Sequence, residues 1–299
     1  MARCGSGVGS RDSGLGLNKF ETYLSFVRFS HSVFALPFAL TGALLAWRDH
    51  PFTWDQIAWI VLCMASARSA AMAFNRVVDA RYDALNPRTA MRELPRGAMS
   101  RREAILFVTT SSIVFLFGAS RLSTLCFVLA PIALAVVFWY SLAKRVTSFT
   151  QLFLGLAMAV APVGGWIAAG GRAGLEPWLL GLGIGLWVGG FDILYACQDV
   201  EFDRGHGLRS IPARFGVARA IGLSRMMNVC AVVTMASLWL AARLPATYLA
   251  GVACVAVLLF YEQSLVRPDE LSQVKKAFDL NGWVGIIYFG VTALALYIG

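Results

Sequence analysis

Nine stretches of this chain are long and apolar enough to cross a bilayer, and that repetition constrains its fold more than any other feature. They lie near 25–47, 54–79, 103–119, 122–141, 150–170, 177–199, 219–241, 246–262 and 280–298. A helix needs ~20 residues to cross the hydrocarbon core, so 103–119 and 246–262 stand near the short limit. The chain has 299 residues, 58% of them hydrophobic, a mean hydropathy of +0.65 and only 14% charged residues. Soluble globular proteins carry ~25% charged residues. The expected fold is all-α: a polytopic membrane protein of nine transmembrane helices. No long polar linker interrupts the spans, which predicts one transmembrane domain over residues 20–299. Residues 1–19 are polar and glycine-rich, lack the apolar core of a signal peptide, and read as a disordered cytoplasmic tail.

The net charge of +9 raises the question of nucleic acid, but its distribution answers otherwise. Loops assigned alternately to two sides put Arg3, Arg11, Lys19 and Arg28 on one of them, with every basic residue of 76–102, 144–145, 204–225 and 267–276. The other side receives only Arg48, Arg121, Arg172 and Arg243. Cytoplasmic loops carry the excess of Lys and Arg. The basic side, with the N-terminus, is therefore cytoplasmic and the C-terminus lies outside. Six cysteines show no C-x2-C pairing and read mainly as small thiols inside apolar spans.

Two acidic clusters end the second and sixth spans on the cytoplasmic side. The first reads Asn75-Arg-Val-Val-Asp79-Ala-Arg-Tyr-Asp83; the second reads Asp199-Val-Glu-Phe-Asp203, with Asp192 one heptad upstream. Residues four apart share a helical face. With Asp79 as zero, Asn75 lies about −40°, Arg68 about −20°, and Asp83 about +40° if the helix continues. Arg68 then sits ~16 Å deeper on the same stripe. In the sixth span Asp192 lies about +20° from Asp199 and Tyr195 about −40°. Ionisable stripes at membrane depth turn inward, onto a central cavity.

Carboxylates at the edge of hydrocarbon need a partner. Mg2+ is a hard cation that takes carboxylate and phosphate oxygens together. Asn75, Asp79, Asp199 and Asp203 are the candidate ligands, with Asp83 as an additional one. That pattern points to a phosphorylated, lipid-soluble substrate, whose diphosphate leaves readily once a metal neutralises its charge. The competing reading is an interfacial salt-bridge network between these aspartates and the loop arginines. Two such clusters on one side, each followed by a basic loop, favour the metal.

Further candidates surround them. Tyr140 and Lys144 share one helical side. Lys144 suits a diphosphate oxygen, and Tyr140 a phosphate or a developing cation, although both residue types also anchor interfaces. Arg68 is an intramembrane charge, either functional or paired with Asp192. Arg28 stands near the start of the first span, and Arg88 and Arg92 follow the first cluster, placed to close over a diphosphate. His31 and His206 read as packing or loop residues.

These residues carry a family likeness. The chain resembles the UbiA superfamily of intramembrane prenyltransferases, in particular the polyprenyltransferases of quinone biosynthesis. The likeness spans about 20–298 and rests on NRVVDARYDALNPRTAMRELPRG (Asn75–Gly97), YSLAK (Tyr140–Lys144) and DILYACQDVEFDRGHGLRSIPARFG (Asp192–Gly216). It implies nine helices around a cavity that opens laterally to lipid, in the bacterial cytoplasmic membrane. It also implies Mg2+ and a prenyl diphosphate bound through Asn75, Asp79, Asp83, Asp199 and Asp203. Tyr140 and Lys144 then stand near the diphosphate, while Arg68 and Arg28 match the family's arginines of the second and first helices. The implied reaction ionises the allylic C–O bond, attacks an activated aromatic carbon and loses a proton. Asp79, Asp199, Lys144, Tyr140 and Asp192 are the candidate catalytic residues; Arg28, Arg68, Arg88, Arg92 and Lys144 are the candidate substrate contacts.

One departure bears on the acceptor. The 4-hydroxybenzoate enzymes often read Asn-Asp where this chain has Asn75-Arg76. The metal pattern is untouched, but the acceptor stays open between 4-hydroxybenzoate and the dihydroxynaphthoate of the futalosine route to menaquinone. Residues 69–75 and Asn281-Gly282-Trp283 resemble the latter at least as closely. A cation-coupled secondary transporter is the alternative from another class. It would favour charges near the midplane and broken helices, whereas most acids here sit at one surface.

Overall fold

The computed structural model describes residues 29–48, 51 and 53–298, with Lys19, Thr22, Tyr23, Ser25 and Phe26 before them. Arg28 lies outside the described residues, as does the side chain of His31. The long helices are α1 (Phe29–Trp47), α2 (Trp54–Leu85), α3 (Arg101–Leu122), α4 (Thr124–Val146), α5 (Thr150–Ala168) and α6 (Glu176–Ala196). A 3-10 turn (Cys197–Asp199) then leads into the short α7 (Val200–Gly205) and α8 (Ile211–Phe215), followed by α9 (Val217–Ala241), α10 (Ala246–Ser264) and α11 (Val274–Ile298). Among the described residues, eight helices are long and apolar enough to span a membrane, and α1 adds the apolar segment Ala35–Trp47. The protein is an integral membrane protein of all-helical fold.

Local chemistry sets the boundaries. Thr53 and Ser100 open α2 and α3 with capping boxes, each closed by the residue three positions on, Gln56 and Glu103. α2 runs six residues beyond the expected span and stops at Asn86, whose extended conformation (ψ 117°) is the one favoured before Pro87. Asp83 therefore remains on the helical stripe. α11 also begins earlier than expected, at Val274.

The segment expected as a long loop after the second acidic cluster is ordered by α7 and α8. The 3-10 turn between α6 and α7 corrects another expectation. Asp192, Asp199 and Asp203 do not follow one uninterrupted α-helical stripe, because three residues per turn replaces 3.6 over Cys197–Asp199. Cys230 and Cys254 are exposed on the outer surface, not buried.

α6 is the most enclosed spanning segment. It packs against α5 and α9, while α5 also packs against α1 and α4, and α11 lies along α10 and α1. Small residues let these backbones approach, as is common for helices in lipid. A Cβ on Gly165 would lie 1.9 Å from the Ala39 carbonyl oxygen of α1, and one on Gly155 would lie 2.3 Å from that of Gly185 in α6. Aromatic side chains then fill the centre, with Trp187 and Phe38 meeting edge to face at 5.3 Å between ring centroids.

The adjacent glycines of α5 give a matched test. Gly165→Ala drives a methyl group into backbone, whereas a Cβ on Gly164 meets nothing within 4 Å. Gly165→Ala should lower stability by about 1–3 kcal/mol, seen as a lower apparent melting temperature in detergent. Gly164→Ala should melt as the parent does.

Candidate active site

A single cavity of about 660 Å3 gathers nearly every sequence-predicted site residue. From α2 come Arg68, Asn75, Asp79 and Asp83; the loop after it contributes Arg88 and Arg92. Tyr140 and Lys144 reach in from α4, Asp192 from α6, and Asp199 and Asp203 from the turn and α7. The polar wall is thus assembled from segments far apart in the chain. Leu154, Met158, Val188, Phe191, Trp283 and Ile286 supply apolar wall.

Asp79 and Asp83 are buried, Asp199 and Asp203 are half-buried, and all four are held by named partners. Asp79 is 3% exposed. Its Oδ2 accepts from Lys144 Nζ at 2.6 Å and from Asn75 Nδ2 at 3.3 Å, while its Oδ1 accepts from Arg145 Nη2 at 2.8 Å. The Tyr82 ring lies beneath both cations, 5.9 Å from Lys144 and 5.5 Å from Arg145. Arg92 Nη1 donates to both Asp83 oxygens, at 2.7 and 2.8 Å. Arg88 Nε donates to Asp199 Oδ1 at 3.1 Å, its Nη2 pairs with Asp199 Oδ2, and its Nη1 donates to the Tyr195 hydroxyl at 2.7 Å. Asn86 Nδ2 donates to Asp199 Oδ1 at 3.1 Å. Ser210 Oγ donates to Asp203 Oδ2 at 2.8 Å. Desolvation works against the Arg88 charge, but its bond and proximity to Asp199 outweigh it and hold the guanidinium above its ordinary value.

The loop between α2 and α3 is built to deliver those arginines. Asn86 closes an Asx turn by accepting from the Arg88 amide at 3.0 Å, and Thr89 Oγ1 donates to the Asp83 carbonyl at 3.1 Å. Arg76 pairs with Glu93 at 3.4 Å, both nearly buried, and pins the loop to α2. The second segment docks likewise: the Arg209 amide donates to the Lys144 carbonyl at 2.8 Å, and Gln151 receives the Ile211 amide at 3.2 Å.

Arg68 and Asp192 both line the cavity but form no ion pair with each other, and the buried Arg68 Nε has no hydrogen-bond partner. The proposed structural pairing of Arg68 with Asp192 is therefore absent among the described residues. His206 behaves as a loop residue, stacked on Phe202 at 4.1 Å. Sequence reasoning passed over Arg145, Asn86, Ser210 and Tyr82. The Lys-Arg doublet at 144–145 and the Asn-Pro-Arg run at 86–88 were the available signals.

Among the described residues, no three His, Cys, Asp or Glu side chains form a cluster able to hold a metal ion. The donor set is instead carboxylates and one amide facing across a cavity with cations among them. Such a set fits Mg2+, which keeps few protein ligands and completes its shell with water and substrate phosphate.

Residues 35–289 match the UbiA prenyltransferase family. The chain belongs to that family. It is a prenyltransferase. A 4-hydroxybenzoate octaprenyltransferase of Methylobacillus flagellatus is 30% identical over 284 residues, covering 92% of this chain and 94% of the relative. That of Aliivibrio fischeri is 28% identical, covering 95% and 99%. The apo structure of a UbiA homologue from Aeropyrum pernix superposes with a TM-score of 0.81 at 36% identity, over 89% of this chain and 97% of the other. A homologue from Archaeoglobus fulgidus, solved with DMAPP and Mg2+, gives a TM-score of 0.71 over 91% and 99%; at 19% identity it speaks for the fold.

The Arg92 pair predicts a local effect. Arg92→Ala leaves the buried Asp83 carboxylate without its cation. Amides of 86–94 should then exchange hydrogen about tenfold faster by mass spectrometry, while Arg96→Ala leaves them unchanged.

Proposed function

We propose that this prenyltransferase moves a polyprenyl group from its diphosphate to a small aromatic acid in quinone biosynthesis, with Mg2+ at the acidic end of the cavity. The observation that carries the reading is the joint placement of both aspartate clusters and Lys144, Arg88 and Arg92 around one cavity with a polar end and apolar walls. The curated relatives named above act on 4-hydroxybenzoate, which supports an aromatic acid acceptor.

Asn75, Asp79, Asp83, Asp199 and Asp203 would hold the metal. When bound, Mg2+ neutralises the diphosphate and makes it a leaving group. Lys144, Arg88 and Arg92 turn from their aspartates toward the phosphate oxygens, since a phosphate offers them the same charge-assisted bonds. The Tyr140 ring lies deeper on the same wall, in position to stabilise positive charge at the allylic carbon through its face. Arg68, with a buried donor to spare, suits the acceptor's carboxylate, and Asp192 suits its hydroxyl. Arg28 remains a candidate contact outside the described residues. As the allylic C–O bond breaks, diphosphate departs with the electron pair; the aromatic carbon forms the new C–C bond and releases its proton. Exclusion of water by Phe191, Val188 and Met158 protects the cation.

The positive-inside distribution supports a cytoplasmic acidic end and N-terminus, and the bacterial relatives support an inner-membrane location. A cation-coupled transporter gains no support from this arrangement, because the acids cluster at one end of the bundle.

The test is product formation by purified protein in detergent with geranyl diphosphate and Mg2+, offered 4-hydroxybenzoate and 1,4-dihydroxy-6-naphthoate separately. A prenylated acceptor in the mass spectrum and pyrophosphate release that stops with EDTA are expected; neither product from folded protein would sink the acceptor class. Asp79→Ala and Asp199→Ala should each lower turnover by at least about 100-fold while leaving extractable, folded protein. Normal activity in either variant would remove it from the metal site.

A further inference from the structure

At the cavity wall lies a polar brace to which the reaction above assigns no role. Trp187 of α6, Glu262 of α10 and Asn281 of α11 are all 2% exposed or less. Trp187 Nε1 donates to Asn281 Oδ1 at 2.6 Å, and Asn281 Nδ2 donates to the Ala277 carbonyl at 3.0 Å. The Glu262 carboxyl lies beside the Asn281 side chain, and its Oε1 accepts from Gln263 Nε2 at 3.4 Å. Its Oε2 has no hydrogen-bond partner, and no cation pairs with it among the described residues. Burying such a group is costly unless its bonds are made. Three polar side chains from three helices have been placed together where apolar ones would pack.

The position of the brace suggests its use. α11 lies mainly along α10 and α1, so its seam with α6 beside the cavity has the Trp187–Asn281 bond as its polar tie. Asn281 itself lines the cavity. On the turns that follow, Trp283 and Ile286 also line it, and they keep 63% and 42% of their surface exposed. Large side chains that line the cavity and stay this open on a spanning helix mark the cavity's rim. A prenyl chain too long for the cavity must leave over such a rim.

We propose that the Trp187–Asn281–Glu262 brace is a chain-positioning device: it fixes α11 so that Trp283 and Ile286 hold the departing prenyl chain, and so sets preference among chain lengths without touching the reacting atoms. The inference rests on the transferase reading above. Glu262 acts here as a hydrogen-bonding group and not as a charge, so Glu262→Gln preserves the brace and Glu262→Leu removes it. Trp187→Phe deletes one N–H at nearly constant volume.

The experiment measures binding of geranyl and geranylgeranyl S-thiolodiphosphates with Mg2+ to purified protein, by calorimetry, with melting temperature recorded for each variant. Trp187→Phe and Glu262→Leu should weaken the longer analogue about fivefold more than the shorter, the effect of one lost hydrogen bond. Glu262→Gln should restore the parental ratio to within about twofold. An unchanged ratio, equal weakening of both analogues, or loss of folding in both disruptive variants would make the brace purely structural and overturn the proposal. Failure of the parent protein to bind either analogue would instead overturn the transferase site, and the brace proposal with it.

Discussion

An ionised carboxylate at the edge of hydrocarbon must be neutralised, and the acidic end of this bundle is organised around that requirement. Asp79, Asp83 and Asp199 each take at least one cation at hydrogen-bonding distance. The cations come from outside the helix that carries the acid. Satisfying Asp79 therefore ties α2 to α4, and satisfying Asp199 ties the α2–α3 loop to the end of α6. In open water such contacts would each be worth ~0–1 kcal/mol, and partial burial screens them less. The same set of charges that closes the end of the bundle is the set that would meet a metal and a diphosphate.

Deeper in the membrane a different physics holds the helices together. Lipid gives little hydrophobic drive for helix association, so close approach of backbones at small residues takes over. Gly165 against Ala39 and Gly155 against Gly185 bring α1, α5 and α6 together. That tight packing on one side lets α2, α4, α6 and α11 stand apart on the other and leave a cavity.

Much of this was legible in the chain. Apolar runs of near-bilayer length can be satisfied only by helices, so the spans could be read within a few residues. The acidic stripe was legible because helical period carries Asn75, Asp79 and Asp83 to one face. Other parts were not. Arg145 and Asp79 are 66 residues apart, and Arg88 and Asp199 are 111 apart; no local pattern encodes such pairs. The 3-10 turn at Cys197–Asp199 escaped because the sequence there holds no Gly or Pro, the residues that ordinarily announce a break. α2 outran its expected end because its last turns carry charged residues, where hydropathy no longer marks a helix boundary.

That turn also divides responsibilities within one segment. Above it α6 is wedged between α5 and α9, where glycine contacts leave little freedom; below it α7 carries Asp203 on a separate axis, fastened to Ser210. A substitution in the wedged half need not re-aim Asp203, and a change in α7 need not disturb the wedge. Lineages descended from such a scaffold can remodel the deep part of the cavity and its acidic mouth independently, one side of the turn at a time.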